Sequence, residues 1–146
     1  MAISPAEMIR RIQRVLPKLK PEAQRLILRS PELIKAKVNE LKRGENPEGG
    51  RIGYYRNPAY RLFKKSINPM ASGTVDLILS GNFSRGLGLE KKGNGFLFDS
   101  SDDKAPELFA KYGQENRQLN IREWNRIQKE VLWPQYIKWI KRELGQ

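Results

Sequence analysis

The chain has neither cysteine nor histidine among its 146 residues. Without cysteine there is no disulfide framework, no thiolate metal site and no thiol nucleophile. Without histidine, the commonest general base, the commonest metal ligand and the side chain that titrates near neutral pH are all missing. No apolar run approaches the ~20 residues that span a bilayer, so no membrane partner is expected. The opening Met1-Ala2-Ile3-Ser4-Pro5 lacks the charged-then-apolar pattern of an export leader. Synthesis in the cytoplasm is therefore expected. Acidic residues are few beside basic ones: 16 Asp and Glu against 28 Lys and Arg, a net charge of +12.

What is present suits a folded chain. Apolar residues make up 38% and charged residues 30%, which is polar, but three Trp, five Tyr and five Phe supply core-forming bulk. The length is that of one domain, 1–146. It divides into a basic helical segment (1–42), a loop, short helix and hairpin core (43–113), and a C-terminal helix (114–146). The fold class expected is α+β. The charge is uneven, with 16 Lys and Arg against 6 Asp and Glu in residues 1–66, and 12 against 10 in the remainder. An excess of that kind favours an anionic partner, nucleic acid or an acidic protein surface.

Residues 75–113 form the stretch around which the chain is organised, and the one part that reads as sheet. Leu87 and Leu89 precede Lys92-Gly93-Asn94-Gly95, and Phe96 and Phe98 follow it. The period of two on both sides predicts a half-buried hairpin, and Asn94-Gly95 is its turn signal. Ahead of it, Ser4-Pro5-Ala6-Glu7 reads as a capping box opening an amphipathic helix, ended or kinked at Pro17. Ser30-Pro31-Glu32 opens another helix, carrying an apolar stripe to about Leu41. Residues 44–57, with four glycines and a proline, are expected to be an ordered loop with Ile52, Tyr54 and Tyr55 packed on the body. A short helix follows over 58–66, then a loop, the hairpin, and a helix over 102–112 with Leu108 and Phe109 buried. The last helix is expected over about 121–144, capped by Asn120, apolar on one face through Trp124, Ile127, Val131, Ile137, Ile140 and Leu144, and kinked at Pro134.

Several motifs have bland readings that outweigh the sharp ones. Asp99, Asp102 and Asp103 would suit a divalent cation, but no calcium-loop pattern is met, and a capped polar loop explains them. The glycines at 81, 86, 88, 93 and 95 are not placed as a phosphate-binding turn between strand and helix, and are better read as turns and close approaches. Ser80 and Ser84 have no histidine base. No cofactor, metal or catalytic constellation is expected, and the chain is read as a non-enzyme. Arg10, Arg11 and Arg14 on the first helix are the candidate contacts for an anionic partner. They are taken as surface residues whose charge reversal leaves the isolated fold nearly as stable.

One run of motifs covers about 100 residues: Asn39-Glu40-Leu41, Gly44, Asn46-Pro47-Glu48-Gly49, Tyr54-Tyr55, Tyr60, Lys64, and Asp76-Leu77-Ile78-Leu79-Ser80-Gly81-Asn82-Phe83. Lys111-Tyr112-Gly113 and the Trp124 helix continue it. In order and spacing this resembles the virion-morphogenesis, tail-completion and neck proteins of tailed bacteriophages. Many relatives carry tryptophan after the loop glycine, where this chain has Arg51-Ile52. The resemblance implies a structural protein of the virion at the head–tail junction, working as a homo-oligomeric ring against portal, adaptor or tail ring proteins. Its structural motif positions would be Gly44, Pro47, Gly49, Tyr54, Tyr60, Lys64, Asp76, Leu77, Ser80, Gly81, Phe83, Tyr112 and Gly113. Packaged DNA would be a non-specific contact. A second reading, from charge alone, is a small basic nucleic-acid-binding accessory protein. A third, a toxin-like or RNase module, is disfavoured by the lack of histidine and of a carboxylate pair.

Overall fold

The computed structural model describes residues 2–77 and 81–145. The motif residue Ser80, with Ile78 and Leu79, lies outside the described residues. The fold is α+β. Helices α1 (Pro5–Val15), α2 (Leu19–Leu28) and α3 (Pro31–Lys42) come first. After the 44–57 loop come α4 (Pro58–Ile67) and the one-turn α5 (Asn82–Arg85), then strands β1 (Leu87–Lys92) and β2 (Gly95–Ser100). Helices α6 (Ala105–Tyr112), α7 (Ile121–Ile127) and α8 (Trp133–Glu143) complete the chain.

The helix starts follow from capping chemistry. Ser4 Oγ accepts from the Glu7 amide and Ser30 Oγ from the Leu33 amide, each with proline at the first helical position. α1 ends just ahead of Pro17, as expected, and Pro17 sits in a three-residue 3₁₀ turn, Leu16–Lys18, that joins α1 to α2. Asn120 caps α7 through the Arg122 amide. The predicted kink at Pro134 takes the form of a π-helical segment, Gln128–Leu132, between α7 and α8. There the Trp133 amide donates to the Gln128 carbonyl, five residues back. The widened turn makes room for a proline that would collide with the carbonyl one α-turn earlier. The expected apolar face holds: Ile127 is buried, and Trp124, Val131, Ile137, Ile140 and Leu144 are half-buried. Trp133, directly after the π-helical segment, is exposed, whereas Leu132 is buried.

β1 and β2 pair antiparallel, with Leu87 opposite Ser100, Leu89 opposite Phe98 and Lys91 opposite Phe96. These residues share one face, so the expected alternation holds. Phe98 and Leu87 are buried, while Leu89 and Phe96 are half-buried. The turn is displaced by one residue from its sequence signal. Lys92 pairs with Gly95, so the two loop residues are Gly93 and Asn94. Only Gly93 of the two has positive φ (59°), the mark of a type II′ turn with glycine at its first central position. Val75–Leu77, expected as part of the sheet stretch, is buried but not strand.

The core gathers Leu33 and Leu41 of α3, Phe98, Phe83, Phe109 of α6, Ile127 and Leu132. Phe83 and Phe109 meet edge to face, with ring centroids 5.5 Å apart. Leu108, expected to be buried, is half-buried. α1 lies at the edge and is tied to the far end of the chain. Arg11 Nη1 donates to the Leu144 carbonyl at 2.7 Å and Arg14 Nη2 to the Glu143 carbonyl at 3.1 Å. These are orphan carbonyls at the C-terminus of α8, where cations are favourable. Arg11 also bonds Glu7 at 3.1 Å, as does Arg10. Arg10 and Arg14 are exposed, as expected, while Arg11 is half-buried and engaged within the fold, so it alone departs from the expectation of three surface charges.

Candidate functional site

α4 is the helix that places the site. Asn57 caps it, its Oδ1 accepting from the Ala59 and Tyr60 amides, and Pro58 opens it. This fixes the rotation of a ten-residue helix so that its lysine at position 64 faces the protein and its bulky apolar residues face away. Lys64 is buried, and its Nζ lies 2.6 Å from Oδ1 of Asp76, which is also buried. Oδ2 of the same carboxylate accepts from Asn68 Nδ2 at 2.9 Å. Asn68 Nδ2 also donates to the Lys42 carbonyl at 2.7 Å, near the end of α3. One buried polar network thereby ties α3, α4 and the 74–77 segment together. Such a pair is tolerable in a low-dielectric interior only with close geometry and further hydrogen bonds to the carboxylate, both present here.

A cavity of ≈ 240 Å³ borders this network, lined by Tyr55, Tyr60, Lys64, Val75, Leu77, Leu108 and Tyr112, with Asp102 and Lys104. Tyr55 and Tyr60 meet edge to face at 4.9 Å. The Tyr55 hydroxyl is held well above the ordinary tyrosine pKa, first by burial and then by the nearby Asp76 charge. Leu77 has φ 59°, a left-handed conformation rare for a leucine and costing roughly 1–3 kcal/mol.

Of the motif positions, Tyr60, Lys64, Asp76, Leu77 and Tyr112 converge on this centre. Gly44 abuts it from the loop. A Cβ there would lie 2.7 Å from Thr74 Oγ1 and 3.0 Å from the Val75 carbonyl. Phe83 belongs to the core through Phe109, and Gly113 follows α6. Gly81 directly precedes α5 in a left-handed conformation, φ 77°. Pro47 is elsewhere: its carbonyl accepts from Asn120 Nδ2 at 3.0 Å, which fastens the 44–57 loop to the start of α7. Gly49 turns that loop, and Tyr54 is exposed, unlike its neighbours Ile52 and Tyr55. Arg10, Arg11 and Arg14 lie on α1 and are not part of the centre.

A second buried pair, Lys37–Glu40, escaped the sequence reading. Lys37 Nζ is 2.7 Å from Glu40 Oε1 and 2.6 Å from the Gln118 carbonyl, and Glu40 Oε2 accepts from the Asn120 amide at 3.0 Å. Burial holds the Lys37 pKa below its ordinary value, against the opposing pull of Glu40. The signal was available: Lys37 stands at the i+4 position between Leu33 and Leu41, on the buried face of α3. Asn68 carried no comparable signal. The carboxylates of the 99–103 loop are separately engaged. Asp99 pairs with Arg117 at 3.6 Å, and Asp102 accepts from the Lys104 amide at 3.1 Å. Among the described residues, no three His, Cys, Asp or Glu side chains are grouped to hold a metal ion, and no helix is long and apolar enough to cross a membrane.

Chemically, the centre is a clamp: its ammonium and carboxylate neutralise each other and join three segments. Compared with known proteins, the chain matches no family model, no curated protein and no solved structure.

Proposed function

We propose that this protein is a structural component of a tailed-phage virion at the head–tail junction. It would be a neck or tail-completion protein that assembles as a homo-oligomeric ring and acts by assembly, not catalysis. Its neighbours would be portal, adaptor or tail ring proteins. The observation that carries the reading is that the motif residues Lys64 and Asp76 form a buried clamp, with Tyr60, Leu77 and Tyr112 lining the cavity beside it. Lys64 and Asp76 hold α4 against the 74–77 segment, and Asn68 extends the network to α3. The α+β architecture and the left-over basic charge are compatible with a position beside packaged DNA or an acidic ring.

Electron microscopy of the purified protein and of particles tests it. Rings, or density for the protein at the portal vertex, are the expected result. A protein that stays monomeric and shifts random duplex DNA in a salt-sensitive way would overturn it. That outcome favours the second reading, a small basic nucleic-acid-binding accessory protein, for which the net charge of +12 speaks.

A further inference from the structure

Asn94 is one of nine asparagines in the chain and the only one followed by glycine. That pairing has a chemistry of its own. The glycine nitrogen reaches the asparagine side chain readily, because no Cβ on the glycine obstructs the approach. Asn46, Asn57 and Asn68 precede proline, whose nitrogen carries no proton to lose. These three, with Asn116 and Asn120, are also held by side-chain hydrogen bonds. Asn94 is exposed, and among the described residues its side chain makes none.

The fold sets Asn94 where the approach is least hindered. It is the second loop residue between β1 and β2, with Gly93 and Gly95 exposed on either side. A Cβ on Gly93 would meet nothing within 4 Å, and one on Gly95 only the Lys92 carbonyl at 3.8 Å. The tip therefore stands in open space. Gly95 belongs to the last rung of the ladder, opposite Lys92. Terminal rungs open at little free-energy cost, so the Gly95 amide is released while Leu89 and Phe98, three rungs inward, stay paired. Lys91 and Lys92, exposed at the same tip, favour the anion that the amide forms on losing its proton.

We propose that Asn94 is the chain's site of spontaneous deamidation, converting through a succinimide to isoaspartate and aspartate. Hydroxide takes the Gly95 amide proton, and the nitrogen attacks Asn94 Cγ. The new N–Cγ bond closes the ring. The Cγ–Nδ2 bond breaks, and Nδ2 takes up a proton from water and leaves as ammonia. Water then opens the ring at either carbonyl. No oxidation state changes, and water is the only co-reactant. Both products replace a neutral amide by a carboxylate, lowering the net charge of +12 by one. Isoaspartate also runs the backbone through Cγ, which lengthens the turn and removes the Lys92–Gly95 rung. The damage stops at the tip, because the buried Phe98 anchors β2 in the core. The proposal stands whether or not the head–tail reading does.

The test incubates the full chain at mildly alkaline pH and follows its intact mass. A gain of one mass unit is expected, faster as pH rises, and digestion should map it to the peptide holding Asn94. An isoaspartyl methyltransferase should label the same peptide. Asn94→Gln is expected to abolish the gain there. Gly95→Ala is expected to slow it about tenfold or more, about 1.4 kcal/mol of barrier. Gly95 has no left-handed φ, and its added Cβ meets only an ordinary contact, so this variant should fold, as circular dichroism will show. The free peptide Lys91–Phe96 is the reference. The proposal is overturned by an unchanged chain after an incubation that converts the free peptide, or by a gain that maps chiefly to another asparagine. A rate that a folded Gly95→Ala leaves unchanged overturns it as well.

Discussion

Replacing Lys64 by Met takes the cation away from a carboxylate that has no exposed surface. Asn68 still donates to Asp76 at 2.9 Å, but an amide does not neutralise a buried charge. Breaking one side of such a pair costs roughly 3–5 kcal/mol, a large part of the ~5–15 kcal/mol that holds a typical domain folded. Asp76→Asn makes the converse error and strands the ammonium, at a similar cost. The two losses should not add. Once one charge is gone, removing the other also removes the penalty of burying it without its counter-charge, so the double variant is expected near either single one, with a coupling of about 3–5 kcal/mol, the size of one single loss. Urea unfolding followed by tryptophan fluorescence measures all three variants through Trp124, Trp133 and Trp139. Arg126→Ala is the control. It breaks exposed contacts to Glu123 and Glu130 and is expected to leave the midpoint almost unmoved. Additive losses, or single losses under about 1 kcal/mol, would show that water reaches the pair and that it is no clamp.

Phe98→Ala should lose about 3–5 kcal/mol, since the ring is buried in the core; a change of a few tenths in chemical denaturation would refute that placement. Gly44→Ala combines a left-handed φ of 68° with a Cβ 2.7 Å from Thr74 Oγ1, and a loss above about 1 kcal/mol is expected, read by the same unfolding curves. Tyr55 has a raised pKa in the folded state, so its contribution is intact below the ordinary tyrosine value of about 10 and declines as pH climbs beyond it. Accordingly, Tyr55→Phe should flatten the alkaline loss of stability, and an ultraviolet titration in which the variant loses amplitude at or below that value contradicts the assignment. Arg11→Ala should destabilise by about 1 kcal/mol through the lost bond to Leu144; no change in thermal midpoint would return this arginine to the free surface.

The sequence signals that succeeded are local ones. Serine-proline pairs announced α1 and α3, the period of two announced the hairpin, and Asn120 announced α7, because capping and pleating depend on residues a few positions apart. The misses need the third dimension. Gly93-Asn94 and Asn94-Gly95 are both acceptable turn pairs, and only the cross-strand pairing of Lys92 with Gly95 decides between them. Pro134 foretold a disturbance, but a kink and a π segment are alternative answers to the same clash. Of the clamp, Lys64 and Asp76 were singled out as motif members without any sign that they touch. Their partner Asn68 was not seen at all, since a pairing across 8 or 12 residues through irregular chain has no period to betray it.

Net charge was the most visible property of the sequence and the most misleading about place. Residues 1–66 hold the surplus, and the arginines of α1 are one of its two densest clusters, so they invite the reading of an anionic surface contact. The fold redistributes that surplus. Glu7 accepts from both Arg10 and Arg11, and the C-terminal carbonyls of α8 take up Arg11 and Arg14. On α4 the opposite happens. Lys64 turns inward to its buried carboxylate partner, while Arg56, Arg61 and Lys65 stay outside. Counting charges along a chain gives the size of the field, and only the pattern of internal acceptors says where it emerges. Here part of it emerges at Arg56, Arg61 and Lys65, exposed positions in and just before α4 that make no salt bridge among the described residues, because the one nearby buried carboxylate, Asp76, is already matched by Lys64.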